Sequence, residues 1–356
     1  MNGMKAAVLK GPRRIELEEV STPKPGVNDV LVEVKACGVC GSDIAYYQRG
    51  RADVPPPIIL GHEFSGVIVE LGETAKKLGL FKEGDRVVAE PVMACGSCPS
   101  CKQGYPNMCE RPTVLGVSVN GGMAEYCAVR YDYLHKIPEN VSFEEAAFTE
   151  PLACALNAIR KLRIVPGASA AVIGPGPIGL MVVQYLKKSG LSPVILMGTR
   201  DYRLEMGLKL GADYAINTRE KDSKYYSESP VERVKELTNG RGVDRVFVAT
   251  GSVDANQMAV EITAPRGIVV FFGGASYDPT SKVSIPLWEA TLGEKEFTFA
   301  WLSPFTFPDA LNAISKKLVD VKPLITHVFT LNEVGKAIET AEKRLENALK
   351  VQIKPK

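Results

Sequence analysis

The chain has 356 residues, 45% hydrophobic and 24% charged, with 43 basic side chains against 41 acidic ones and a formal net charge of +2. That length suits about two domains of 100–200 residues, and the near-neutral balance excludes the clustered basic excess of a nucleic-acid or acidic-membrane surface. No apolar run reaches the ~20 residues that span a bilayer, and no export signal follows Met1, so a cytoplasmic protein is expected; four of its eight cysteines crowd into fifteen residues, which reads as metal binding rather than a disulfide set.

Residues 1 to about 155 are rich in short β-like runs punctuated by Gly and Pro, among them 30–34 and 66–70. Two patches here carry metal-ligand side chains in loops: Gly38-Val39-Cys40-Gly41-Ser42-Asp43 and Gly61-His62-Glu63-Phe64-Ser65-Gly66. A lone histidine is usually structural, but His62 is one of only three in the chain and lies between glycine and glutamate. Cys37 stands at C-x-x-C distance from Cys40, yet its strand-like surroundings read as those of a small buried apolar residue. Cys95, Cys98, Cys101 and Cys109 then form C-x2-C-x2-C-x7-C in a Gly- and Pro-rich loop. Four thiolates at this spacing suit one tetrahedral zinc. An iron–sulfur cluster would need electron-transfer partners, and a redox C-x-x-C would leave two of the four unexplained.

From about 156 to 293 apolar strands at 170–173, 194–197, 246–249 and 268–272 alternate with helical stretches such as 202–210 and 231–237, the pattern of βαβ units and a parallel sheet. The first strand runs into Gly174-Pro175-Gly176-Pro177-Ile178-Gly179. Two of these glycines allow a tight turn and close approach to a pyrophosphate; the third lets the following helix pack against the sheet. The acid expected on a ribose after the second strand is missing. Gly198-Thr199-Arg200 stands there instead, and Asp201 reads as a helix N-cap. Gly198 leaves room for a 2′-phosphate, Thr199 and Arg200 offer donors to it, and Arg203 adds a weaker charge, so NADP is expected over NAD. The polar segment 218–232 reads as an exposed loop and helix start. From about 294 the texture is mixed again, ending in an amphipathic helix near 332–346 and a short strand.

The Cys40 patch, the His62 patch, the four-cysteine lobe, Glu150-Pro151-Leu152 and the glycine loop occur in the order of the zinc-containing medium-chain dehydrogenases. The chain resembles that family over nearly its whole length, most of all its polyol (sorbitol) and threonine dehydrogenase branch. Glu90-Pro91 and Glu150-Pro151-Leu152 look more polyol-like than threonine-like. The resemblance implies an α/β protein in which a GroES-like, mainly β catalytic domain (1–155, with a zinc lobe at 90–110, resuming at 294–356) is split around a doubly wound Rossmann domain (156–293). It implies two zinc ions per subunit. Cys40 and His62 would hold the catalytic one, with Glu63 and Glu150 sharing the remaining protein position, one direct and the other direct or through water; Cys95, Cys98, Cys101 and Cys109 would hold the structural one.

Further expectations follow from the same resemblance. Asp43 would orient His62, Ser42 would take the substrate proton, and Tyr46 fits the polyol pattern. Thr250 and Gly251, with Gly273 and Gly274, would end two strands beside the nicotinamide ribose. The implied reaction moves hydride between a secondary alcohol or polyol and NADP(H) or NAD(H), in a homo-oligomer, dimer or tetramer. Two departures bear on the substrate: Ala45 stands where polyol enzymes often have a histidine, and Leu302-Ser303, beside Trp301 and Phe305, where they have an Arg-Tyr pair. Oxidation of a 3-hydroxy amino acid such as threonine is the alternative within the branch. A zinc-free reductase would lack the cysteine lobe and the Cys-His pair. A non-enzymatic zinc and nucleotide sensor is the alternative of another class.

Overall fold

The strand Asp29–Gly38 is the spine of the first compact unit, since Val30, Leu31, Val32, Val34, Ala36 and Cys37 are all buried. Its apolar side chains pack into the core, while half-buried Glu33 and Lys35 interrupt the run and pair with each other. Its antiparallel partners are Glu63–Leu71, Tyr126–Arg130 and Lys350–Lys354. They belong to a seven-stranded sheet, beside which Met4–Gly11, Arg14–Val20 and Ile58–Ile59 form a three-stranded one. One apolar cluster, including Leu9, Leu31, Leu60, Phe64, Ile68 and Met123, fills the core of this unit. A separate excursion carries the four cysteines. It is braced by the two-stranded pair Val92–Met93 and Thr113–Val114 and by the short helix Pro99–Lys102.

The computed structural model describes residues 3–50, 54–273 and 280–356. The first unit comprises Met1–Ala153, Pro304–Lys317 and Val321–Lys356; the second comprises Cys154–Ser303 and Leu318–Asp320. The change in texture at 294 precedes the boundary in space because Glu296–Phe299 still pairs in parallel with Thr263–Phe271. Among the described residues no helix is long and apolar enough to cross a membrane.

In the second unit six strands are all parallel, in the order Tyr214–Asn217, Val194–Gly198, Ala170–Ile173, Val243–Val248, Thr263–Phe271, Glu296–Phe299. This is the doubly wound order, reversing after the first strand in sequence, where the crevice for a dinucleotide lies. The expected strands and helices are present within a few residues, including Asp201–Lys209, Pro230–Leu237 and, in the first unit, Val334–Lys343. The polar segment after 217 is an ordered loop: Asn217 donates its backbone N–H to Tyr225 O at 2.8 Å, and Ser223 Oγ donates to Asp201 at 2.6 Å.

Gly179, in the helix Pro177–Lys188, does what the glycine pattern implied. A Cβ there would collide with the Gly174 carbonyl oxygen and lie 3.3 Å from Val172 Cγ1. Replacement by alanine is therefore expected to push the helix off the sheet and cost about 1–3 kcal/mol, the usual scale of overpacking. Urea unfolding of Gly179→Ala checks this, and an unchanged midpoint would show that the helix has slack.

Candidate metal centre and nucleotide site

The metal-ligand residues meet because of strand register. Gly38 is paired with Glu63 on one side and with Gln352 on the other. Cys40, two residues past Gly38, and His62, one residue before Glu63, are thus delivered to the same end of the sheet. Ligand atoms of Cys40, His62 and Glu63 all lie within 4.8 Å of one another. A thiolate, an imidazole and a carboxylate so gathered match the donor set of a catalytic zinc with a position left open.

Cys40 precedes the helix Gly41–Arg49 and takes its N-cap position, so the positive end of the helix faces its sulfur. Asp43, fully buried in the first turn, accepts the Cys40 backbone N–H on Oδ2 at 2.9 Å. Its Oδ1 stands 3.6 Å from His62 Nδ1. With Nδ1 turned to that carboxylate, Nε2 is the nitrogen left to ligate. Burial raises the pKa of Asp43, against the pull of His62 and the Cys40 N–H. Burial lowers that of His62, but Asp43 and Cys40 outweigh it and hold it well above the usual histidine range. The surroundings of His62 therefore favour positive charge, which a metal ion supplies as well as a proton does.

Glu150 lies buried in the first turn of Thr149–Lys161. It falls outside the cluster of three, although its charge acts on both His62 and Lys350. Ser42 is half-buried and Tyr46 buried, both on the helix that begins beside Cys40. Cys37 is fully buried, and burial pushes its thiol well up, as befits a packing residue.

Cys95, Cys98, Cys101 and Cys109 also bring their sulfurs within 4.8 Å of one another. Cys95 Sγ accepts from Ser97 Oγ at 3.5 Å and from the Cys98 N–H at 3.4 Å, and these bonds, with the Ser97 N–H, lower its pKa to about 5. Cys109 Sγ accepts the N–H groups of Cys95 and Arg111 at 3.3 and 3.4 Å. Desolvation and the Cys98 sulfur push Cys101 up to about 12. Four thiols this close cannot all ionise unaided; a bound cation would make that possible.

In the second unit the backbone packs closely around the glycine loop. Gly174 has φ +105°, and a Cβ there would lie 2.8 Å from Ala249 O and 3.2 Å from Thr250 Cβ. A Cβ on Gly273 would strike the Thr250 backbone. Gly174, Thr250 and Gly273 therefore converge where the strands end, with Gly251 next in sequence; Gly274 lies outside the described residues. Gly176 is the N-cap of the helix begun by Pro177 and Ile178, and the Arg203 guanidinium lies 3.8 Å from where its Cβ would be. Thr199 and Arg200 are exposed at the tip of the second strand.

Two expectations at that tip need correction. Arg200, not Asp201, occupies the N-cap position, because Asp201 Oδ1 is taken up by Asn217 Nδ2 at 2.7 Å and Ser223 Oγ at 2.6 Å. Gly198 does not face open space: a Cβ there would collide with the Pro175 ring, so the glycine serves packing within the loop. Sequence reasoning also missed Tyr202, whose hydroxyl accepts Arg203 Nε at 2.7 Å, and Lys350, a buried lysine paired with Glu63. A long-range ion pair to an ordinary-looking strand leaves no local signal.

Residues 26–139 match the model of the alcohol dehydrogenase GroES-like domain, and residues 177–316 that of the zinc-binding dehydrogenases. The sorbitol dehydrogenase of Bacillus subtilis (strain 168) is 34% identical over 358 residues, covering 99% of this chain and 97% of the relative. Among solved structures, a Sinorhizobium meliloti 1021 protein described as a zinc-binding dehydrogenase and bound to NADP superimposes with a TM-score of 0.91 at 28% identity, covering 100% of both chains. An Escherichia coli CFT073 protein described as a short chain alcohol dehydrogenase, complexed with NADH, gives 0.88 at 32% identity, covering 99% of this chain and 100% of the other. The chain belongs to the zinc-containing medium-chain dehydrogenases, in the polyol dehydrogenase family. It is an alcohol or polyol oxidoreductase of GroES-like and Rossmann architecture, which sets the sensor reading aside.

Asp43 is the most exacting of the supporting residues. Loss of its carboxylate in Asp43→Ala is expected to weaken metal binding at the Cys40 cluster by ~10–100-fold, the usual effect of deleting a group that orients a ligand histidine. Zinc competition with a chromophoric chelator measures it. Unchanged affinity would mean that His62 needs no orienting partner.

Proposed function

We propose that this protein oxidises a secondary alcohol or polyol with NADP, or reduces the matching ketone, using one catalytic and one structural zinc per subunit. The gathering of Cys40, His62 and Glu63 carries the reading, because that donor set suits a reactive zinc whereas four sulfurs suit a closed one. Zinc held there would supply the Lewis acidity that brings a bound alcohol's pKa towards ~7, and the nicotinamide would accept the hydride. Glu63 and Glu150 share the remaining protein position, with Glu63 the nearer to the cluster. Ser42 takes the proton from the substrate hydroxyl and passes it outwards. Ala45, one helical turn on, offers no imidazole for a further relay.

Leu302 and Ser303 in place of an Arg-Tyr pair point to a less polar alcohol than sorbitol. A screen of small secondary alcohols, polyols and threonine with both cofactors is the direct test of the substrate. A homo-oligomer, dimer or tetramer, is supported by the edge strand Glu296–Phe299, which among the described residues has a strand partner on one side only. Near it in sequence Leu287, Trp288, Leu292 and Phe299 are between 67% and 76% exposed, a surface a second copy would cover. A cytoplasmic location accords with the cysteines serving as metal ligands.

The two zinc sites should be separable. Cys40→Ala is expected to fold, lose one zinc and abolish turnover; Cys98→Ala is expected to lose the other zinc and melt at lower temperature. Metal analysis and thermal melting distinguish them, and full activity in purified Cys40→Ala would refute the catalytic site.

The preference for NADP rests on Arg200, on Arg203 beside the glycine loop, and on an Asp201 already committed to Asn217 and Ser223. A charge-assisted hydrogen bond is worth ~1.5–3 kcal/mol, or roughly 10- to 150-fold in affinity. Arg200→Ala should raise the KM for NADP by about that factor and barely alter that for NAD. The ratio of kcat/KM for the two cofactors decides the matter: a wild-type preference for NAD of tenfold or more would overturn the assignment.

A further inference from the structure

Lys350 is a lysine where none would be placed without a task. It opens the strand Lys350–Lys354, its side chain is only 7% exposed, and its ammonium pairs with Glu63 Oε2. The same ammonium donates to the Val39 carbonyl at 3.1 Å, while the Val39 N–H donates to Val351 O at 2.9 Å. The neighbouring backbone is shaped around the pair. A Cβ on Gly38 would strike Glu63 Oε2 and lie 2.9 Å from Lys350 Cε.

A buried ammonium is costly unless it meets a need. The need here is charge and direction. Lys350 stands among four acidic groups, Cys40, Asp43, Glu63 and Glu150, gathered in one largely buried region. A carboxylate with both oxygens free would also turn them onto a nearby metal, since carboxylates bind in one- or two-oxygen modes. With Oε2 held by Lys350, Glu63 has one oxygen left to offer.

We propose that Lys350 is a positioning residue that restricts Glu63 to a single oxygen towards the metal and so keeps one coordination position open for the alcohol. The inference deepens the zinc reading above and rests on it. Lys350 touches neither substrate nor cofactor in this role; it acts through Glu63.

The test uses the full-length protein with cobalt(II) at the catalytic site, read by its visible spectrum and by titration with azide, a probe of the open position. In Lys350→Met the freed carboxylate should turn both oxygens to the metal, weakening the d–d absorption as coordination rises and lowering azide affinity by about tenfold or more, roughly 1.4 kcal/mol. Lys350→Arg should retain both wild-type properties. In Lys350→Met combined with Glu63→Gln azide affinity should not fall below that of wild type, because a carboxamide offers the metal one oxygen at most, and removing both charges together leaves no lone member of that ion pair. That double variant also keeps the test open if Lys350→Met alone does not fold.

A wild-type spectrum and azide affinity in Lys350→Met would overturn the proposal, as would a double variant whose azide affinity falls below that of wild type by about tenfold or more. If cobalt gives no thiolate charge-transfer band that Cys40→Ala removes, the metal reading itself fails, and that result is distinct from the other two.

Discussion

The chemistry of the first unit depends on the pairing of three strands at Gly38. Glu63 lies opposite it on one side and Gln352 on the other, so residues from three distant segments converge on one point. A shift of one residue in either ladder would turn alternate side chains to the opposite face. Glu63 would then leave Lys350, and the two loops carrying Cys40 and His62 would no longer end together. The apolar residues of Asp29–Gly38 fix that register by burial, so the hydrophobic core and the Cys40, His62 and Glu63 cluster rest on the same constraint.

Asp43 turns that convergence into a defined geometry. One oxygen holds the backbone of Cys40 and the other faces His62, so a single carboxylate positions both residues. Its burial is unfavourable in isolation, as the raised pKa of its carboxyl shows. The cationic demand of His62, the Cys40 N–H and nearby Lys350 offset it. The centre is a balance of buried charges in which each member is tolerable only because the others are present.

In the second unit, contacts among backbones matter more than charge. Gly174 lies against Ala249 and Thr250, Gly179 against Gly174, Gly198 against Pro175 and Gly273 against Thr250. The strand ends are packed so closely that side chains are excluded, which leaves backbone N–H groups and the helix N-terminus as the surface a pyrophosphate would meet. Arg200, exposed at the helix start, and Arg203, held by the Tyr202 hydroxyl, then supply side-chain charge beside the glycine loop.

Much of this was legible in the sequence because it is local. The glycine loop, the C-x2-C-x2-C-x7-C run and the strand–helix alternation each depend on neighbours within a few residues, so spacing alone determined that the chain folds as a β-rich part around a parallel-sheet nucleotide fold and which cysteines gather. The order of the motifs determined the family. Tertiary structure decided what depends on residues far apart. It brought Glu63 rather than Glu150 into the cluster with Cys40 and His62, drew Asp201 away towards Asn217 and Ser223, and filled the space beside Gly198 with Pro175. It also buried Lys350 against Glu63, from a short C-terminal strand with a lysine at each end. Such pairs are set by register and packing between segments, and no periodicity along the chain encodes which distant side chain will stand opposite.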